Sequence, residues 1–225
     1  MQRIFLLILL FFLNAGSFYG QTKSDSCNCP SSKYAGTKAD TVFHLSTHKS
    51  IALCGYKNPD SKPTTYSEFV LAVCGKSEII GFWDALVNCQ LTVNQNHLVI
   101  EQVESLPTGS KFQFQDVIWT IEKLSFDKDV LIRTKEVNRT IKKYNSTQIQ
   151  TVLAAFEKTK PGITDVKMKI VYQLFMATIS GNKKARTYFN TFENKVGTLS
   201  GANAEAYTDL KKKLAAWDQP LPISI

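Results

Sequence analysis

Between residues 40 and 135 apolar side chains recur at every second position, in short runs divided by polar turn signals. Phe43, Leu45, Ile51 and Leu53 alternate with smaller or polar residues, the period of a half-buried strand. Residues 51–55 and 69–75 read as neighbouring strands. Val87, Cys89, Leu91 and Val93 repeat the alternation up to Asn94-Gln95-Asn96, and it resumes from His97 to Val103, which predicts a hairpin. Pro107-Thr108-Gly109 turns the chain into Lys111-Phe112-Gln113-Phe114-Gln115, which reads as extended. Val117 to Leu124 then keeps period two until Asp127-Lys128-Asp129. Short strands at this spacing predict an antiparallel β-sandwich or small barrel.

Past residue 146 the period becomes helical. Ile149, Val152, Leu153 and Phe156 fall at i, i+3, i+4 and i+7 before Pro161-Gly162. Thr164 is placed to cap a second helix carrying Val166, Ile170, Val171, Leu174, Phe175 and Ile179, ended by Gly181. Its apolar content predicts a central position. Ala185, Tyr188, Phe189, Phe192 and Val196 form a third stripe closed by Gly197. Asn203 is placed to cap a fourth helix bearing Tyr207, Leu210, Leu214 and Trp217, ended by Pro220 and Pro222. The helix starts near 147 and 183 suggest a repeat, but two hairpins fall short of the ~3 units a solenoid needs. The expected fold class is therefore α+β, an N-terminal β-sandwich or small barrel followed by a C-terminal four-helix module. The expected organisation is a leader at 1–20, a β domain at 21–135, a polar linker at 136–146 and a helical domain at 147–225.

The leader follows from Arg3, the apolar run Ile4 to Leu13 and the small residues Asn14 to Ser17, the layout of a secretory signal peptide. The run is too short to span a bilayer, which takes about 20 residues. Export, to the periplasm or the medium, is thus expected, and it allows disulfides. All five cysteines, Cys27, Cys29, Cys54, Cys74 and Cys89, lie in the β half. Two bridges leave one thiol over, free or available to link two chains. A bridge from Cys27 to Cys29 would be badly strained. Strand parity puts Cys54 and Cys74 on one outer face, so the expected pairs are Cys54 with Cys74, and Cys89 with Cys27 or Cys29.

At 225 residues, 44% hydrophobic and 20% charged, the composition excludes disorder and low-complexity architectures. Charge changes the picture more. Residues 21–135 hold 12 basic and 12 acidic side chains, whereas 136–225 hold 14 and 7, a balance of +7. The helical half is therefore the cationic one, through Lys142, Lys143, Lys183, Lys184, Arg186, Lys211, Lys212 and Lys213. Such runs commonly form a solvated helix face. Lys183, Lys184, Arg186, Lys211, Lys212 and Lys213 make the candidate contact surface for an anionic protein or surface ligand. Nucleic acid is not an expected partner of an exported chain, and the module's aromatics fit its core stripes rather than a base-stacking platform.

Catalytic chemistry finds little support. There is no nucleophile elbow, zinc-protease helix or phosphate loop. His44 and His48, in a regular strand, stand about 13 Å apart at ~3.3 Å per residue, too far for one metal. His97 follows a turn. Asp84 is the acid singled out for a glycan cleft, because the adjacent Trp83 indole could form a sugar platform, but Trp83 in the core and Asp84 as a turn or cap residue is the stronger reading. No catalytic, cofactor or metal set is assigned. The reading is a non-enzymatic binding or assembly protein, with a small glycan or peptide hydrolase as the alternative. Asn138-Arg139-Thr140 and Asn145-Ser146-Thr147 match the N-glycosylation sequon, which matters only in a eukaryotic secretory route.

Overall fold

The structure, a computed structural model, describes residues 27–30, 38–45, 47–76, 78–162 and 165–220. The expected leader at 1–20 and the expected cap Thr164 lie outside them. Eight strands form one antiparallel sheet: β1 (Thr41–His44), β2 (Ser50–Asn58), β3 (Thr65–Val73), β4 (Ile79–Trp83), β5 (Asn88–Asn94), β6 (His97–Leu106), β7 (Gln115–Asp127) and β8 (Val130–Val137). Among the described residues five helices follow: α1 (Ser146–Lys158), α2 (Asp165–Ile179), α3 (Lys183–Asn190), α4 (Phe192–Val196) and α5 (Gly201–Asp218). The fold is mixed α+β, with the helices C-terminal to the sheet.

The sheet runs β1-β2-β3-β5-β6-β7-β8, with β4 also paired to β3. Phe69 to Ala72 of β3 pair with β4, and Tyr66 pairs with Cys89 of β5. A kink passes the chain from one partner to the next: the Asp84 carbonyl accepts from the Glu68 N–H (3.2 Å) and the Val87 N–H (3.1 Å). The sheet then curls, so that Ile51, Leu53, Phe69, Leu71 and Trp83 of its first half share one core with Cys89, Leu91, Leu98, Ile100, Leu124 and Phe126 of its second. It is not closed. Where β8 approaches β4 the link is a side chain, Arg133 Nη1 donating to the Ile80 carbonyl (3.4 Å). Lys49 and Asp129 pair at 2.7 Å between the β1–β2 and β7–β8 turns.

A bulge in β7 joins sheet to helices. Gln102 pairs with Thr120 and Val103 with Ile118, so Trp119 is an extra residue. Glu104, two residues beyond Gln102 on the same face, therefore meets Val117, so odd-numbered residues N-terminal to the bulge hold the face that Thr120, Glu122 and Leu124 occupy after it. Trp119, Val117 and Leu106 thereby enter the helical core, where Trp119 lies 5.7 Å from Phe175 and 5.8 Å from Trp217. The 136–146 segment is held from both sides. Tyr144 donates its hydroxyl to the Pro107 carbonyl (2.6 Å), and its N–H to the Ser180 hydroxyl (2.8 Å).

The helices depart from the expected four in one place. The third stripe is broken at Thr191, with ψ of 20°, whose hydroxyl donates back to the Thr187 carbonyl, a bond that bends helices. Phe189 and Phe192 nevertheless both stay fully buried. α5 begins at Gly201 rather than after Asn203, with Ser200 as its cap residue. Residues 111–114 are turn rather than strand, because Phe112 takes φ of 58° and sets its ring against Tyr144. α1 opens with a capping box: Asn145 Oδ1 accepts from the Gln148 N–H (2.9 Å) and Gln148 Oε1 from the Asn145 N–H (3.2 Å). Asn145→Ala is expected to cost about 1 kcal/mol, read from urea unfolding.

Candidate functional site

The cysteines require a correction. The disulfides are Cys27–Cys74 and Cys29–Cys54, with Cα separations of 4.5 and 5.8 Å. Cys54 and Cys74 do share the outer face, in the small cluster with Ala52 and Val70. They sit at different levels, however: Cys54 pairs with Val70, whereas the Cys74 N–H donates to the Ser50 carbonyl. Four positions along a strand is roughly 13 Å, beyond any disulfide. The N-terminal Cys27 and Cys29 lie over this face and take one partner each.

Cys89 points to the opposite, inner face and is fully buried, which gives no support to a disulfide-linked dimer. Burial pushes its thiol up from an ordinary 9.0 to about 12. The folded state thus holds a proton that the unfolded chain releases. Its contribution to stability is present below pH 9 and is lost as pH rises from about 9 towards 12. At pH 7.5 a thiol reagent is expected to modify Cys89 only after denaturant is added. Rapid native-state labelling would contradict its placement.

Cys89 belongs to a polar row that crosses the inner face between the two apolar cores. Gln102 lies opposite both Cys89 and Thr120, and Glu122 lies opposite Lys135. Thr120 donates to Gln102 Oε1 (3.3 Å), and Gln102 Nε2 donates to Glu104 Oε1 (2.8 Å). Glu122 is 2% exposed and forms an ion pair with Arg133, whose guanidinium lies 5.6 Å from the Trp83 ring centre. The row continues into the helices, because Glu104 pairs with Lys213 of α5 at 3.2 Å.

At the β8 end of this row a cleft of about 300 Å³ separates the sheet from the last turn of α5. Thr120, Lys135, Val137, Arg139, Ala216 and Pro220 line it. Arg139 closes the helix end, donating to the Trp217 carbonyl and, at 2.7 Å, to that of Gln219, with its guanidinium 4.7 Å from the Trp217 ring centre. These carbonyls have no intrahelical donor, and a cation there also meets the negative end of the helix dipole.

The six residues of the expected basic surface divide in two. Lys184 pairs with Glu157 at 2.7 Å, Arg186 takes both Asp218 oxygens at 2.7 Å, and Lys213 meets Asp209 and Glu104. The bonds from Lys184 and from Tyr188 hold the Glu157 carboxyl below its usual range. For Lys213, 11% exposed, burial alone would lower the pKa, but the two carboxylates outweigh it and the net shift is upward. Lys183, Lys211 and Lys212 are exposed and meet no carboxylate among the described residues. Lys211 instead lies 4.3 Å from the Tyr207 ring centre. Beside Lys184, Lys195 and Tyr188 a groove of about 490 Å³ runs over Phe156 and Asn194.

The other candidates stand apart from this surface. Trp83 is stacked on Phe69 with ring centres 4.8 Å apart, and Asp84 Oδ1 accepts from the Leu86 N–H (2.9 Å), a turn contact. His44 ends β1 with Nδ1 2.8 Å from the Ser50 hydroxyl, His48 sits in the following turn with φ of 59°, and His97 opens β6. Among the described residues no three His, Cys, Asp or Glu side chains are grouped to hold a metal, and no helix is long and apolar enough to cross a membrane. Asn138 donates its side-chain N–H to the Ile118 carbonyl (2.9 Å), whereas Asn145 is exposed beside its cap bond. No family model, curated protein or solved structure matches the chain.

Proposed function

We propose that the chain is an exported, non-enzymatic binding or assembly protein that contacts an anionic protein or surface ligand through its helical half. The observation that carries this reading is the state of the helical carboxylates. Glu157, Asp218 and Asp209 are engaged by Lys184, Arg186 and Lys213, so Lys183, Lys211 and Lys212 stand exposed with no carboxylate at ion-pair distance among the described residues, and the exposed Glu205 of α5 offsets only part of their field. Lys183 also opens α3 without an acidic residue in that turn, where the helix dipole disfavours a cation. An external anion relieves that cost. The two disulfides suit an oxidising compartment, in the periplasm or outside the cell.

A hydrolase centred on Asp84 is the weaker reading. The Trp83 indole is buried and stacked on Phe69, and Asp84, though exposed, spends one carboxylate oxygen on its turn, so no indole platform stands open beside the acid. Capture of partners from envelope and culture extracts tests the proposal. Specific partners are expected to be lost in high salt, since exposed charges are screened over about 8 Å at physiological ionic strength. They are also expected to be lost from Lys183→Gln/Lys211→Gln/Lys212→Gln in low salt. Partners retained under both changes would contradict the cationic contact.

A further inference from the structure

We propose that the cleft between β8 and the last turn of α5 is a binding site for a small aliphatic carboxylate, a free fatty acid of medium chain length. Its walls have two characters. Val137, Ala216 and Pro220 offer an apolar trough, and a volume of about 300 Å³ is at the lower end of small-ligand sites. Lys135 supplies the charge. It lies across from Glu122, but that carboxylate is paired to Arg133, so the Lys135 ammonium meets no carboxylate among the described residues. Arg139, in the same wall, keeps a buried Nε–H with no acceptor. Thr120 lies in the same lining, with its hydroxyl proton directed to Gln102.

The other lining groups fit the same ligand. Glu136 and Gln219 also border the cleft. Strand alternation sends the Glu136 side chain to the face opposite Lys135 and Val137, and the Gln219 carbonyl is taken by Arg139. A carboxylate headgroup therefore meets cations on one side while its alkyl chain covers apolar surface on the other. An uncharged alcohol loses the first contact and a cationic amphiphile is repelled by it. None of Lys183, Lys211 and Lys212 takes part, so this site is independent of the helical contact face.

The test is a titration of the whole protein with octanoate below its micelle concentration, followed by tryptophan fluorescence, because Trp217 stacks on Trp119 beside the cleft. Saturable change is expected, weakened about tenfold in Lys135→Gln, the scale of one charge-assisted hydrogen bond. Octanol should bind wild type as weakly as octanoate binds that variant. Ala216→Leu, which fills the trough, should abolish the signal while circular dichroism remains that of wild type. No saturable change, or equal affinity for octanoate and octanol, would overturn the proposal. So would octanoate binding that appears only after removal of residues 221–225, since the cleft would then belong to the chain's own end.

Discussion

Phe175→Ala is expected to lower the unfolding free energy by about 4 kcal/mol, within the range for deleting a buried phenylalanine ring. Phe175 is fully buried on α2, with Trp119 of the sheet 5.7 Å away on one side and Phe189 of α3 6.1 Å away on the other. Those neighbours sit on separate elements and cannot all close on the space, so the cost includes the cavity as well as the lost burial. Leu86→Ala is the control. Leu86 is 96% exposed, so its loss should change stability by no more than about 0.5 kcal/mol. Urea unfolding followed by circular dichroism and by tryptophan fluorescence reads both. A loss under about 1 kcal/mol for Phe175→Ala would mean that Trp119 is not packed into the helical core.

Removal of one N-terminal staple comes next in size. Cys29→Ala/Cys54→Ala opens a loop of 25 residues, for which the chain-entropy account gives a loss of about 3.5 kcal/mol. Cys27–Cys74 stays in place and bounds the effect, since it still closes a loop of 47 residues around the opened one. Cys89→Ala should cost much less, about 1 kcal/mol for a small buried side chain, and leave gel mobility under non-reducing conditions unchanged. Peptide mapping checks the connectivity itself. Recovery of a Cys54–Cys74 peptide would contradict both the arrangement and the predicted ranking.

These two sites also mark where the pattern of the chain is legible and where it stops. The stripe that carries Val171, Leu174 and Phe175 announces α2 and its central place, because a helix buried on most sides must be apolar on most sides. The Asn94 to His97 hairpin is read as easily, from alternation on both sides of a polar turn. β4 and β8 are harder. Both are edge strands: β4 carries Gly81 and an exposed Phe82, and five of the eight residues of β8 are exposed, so neither shows a clean period of two. The bulge at Trp119 shifts the inward face of β7 by one residue, which alternation alone reads as an unbroken strand. Parity places Cys54 and Cys74 on one face correctly. It holds no information on how far apart they lie along it, and that distance decides the pairing.

The candidate sites follow the same division. Charge counted along the chain finds the cationic half, yet it cannot separate lysines bound to their own carboxylates from those left over. Lys211, Lys212 and Lys213 are consecutive in sequence, and only the turn of α5 sends Lys213 to Glu104 of β6 while its neighbours face outward. The cleft beside Lys135 is assembled from the neighbouring strands β7 and β8 and from the last turn of α5, which lies far from both in sequence, and no local motif records it.

The central claim, that the lysines left unpaired on the helices make the contact with an anionic partner, is tested most directly by the salt dependence of binding to an immobilised polyanion such as dextran sulfate. Affinity is measured over a series of salt concentrations for wild type, for Lys183→Gln/Lys211→Gln/Lys212→Gln, and for a variant in which three exposed lysines of the sheet half, Lys57 in β2, Lys76 after β3 and Lys128 in the β7–β8 turn, are changed to Gln. The account predicts a steep fall with salt for wild type and for the sheet variant, and a shallower one, with weaker binding at low salt, for the helical variant. Equal slopes for all three proteins, or a larger loss in the sheet variant, would contradict it.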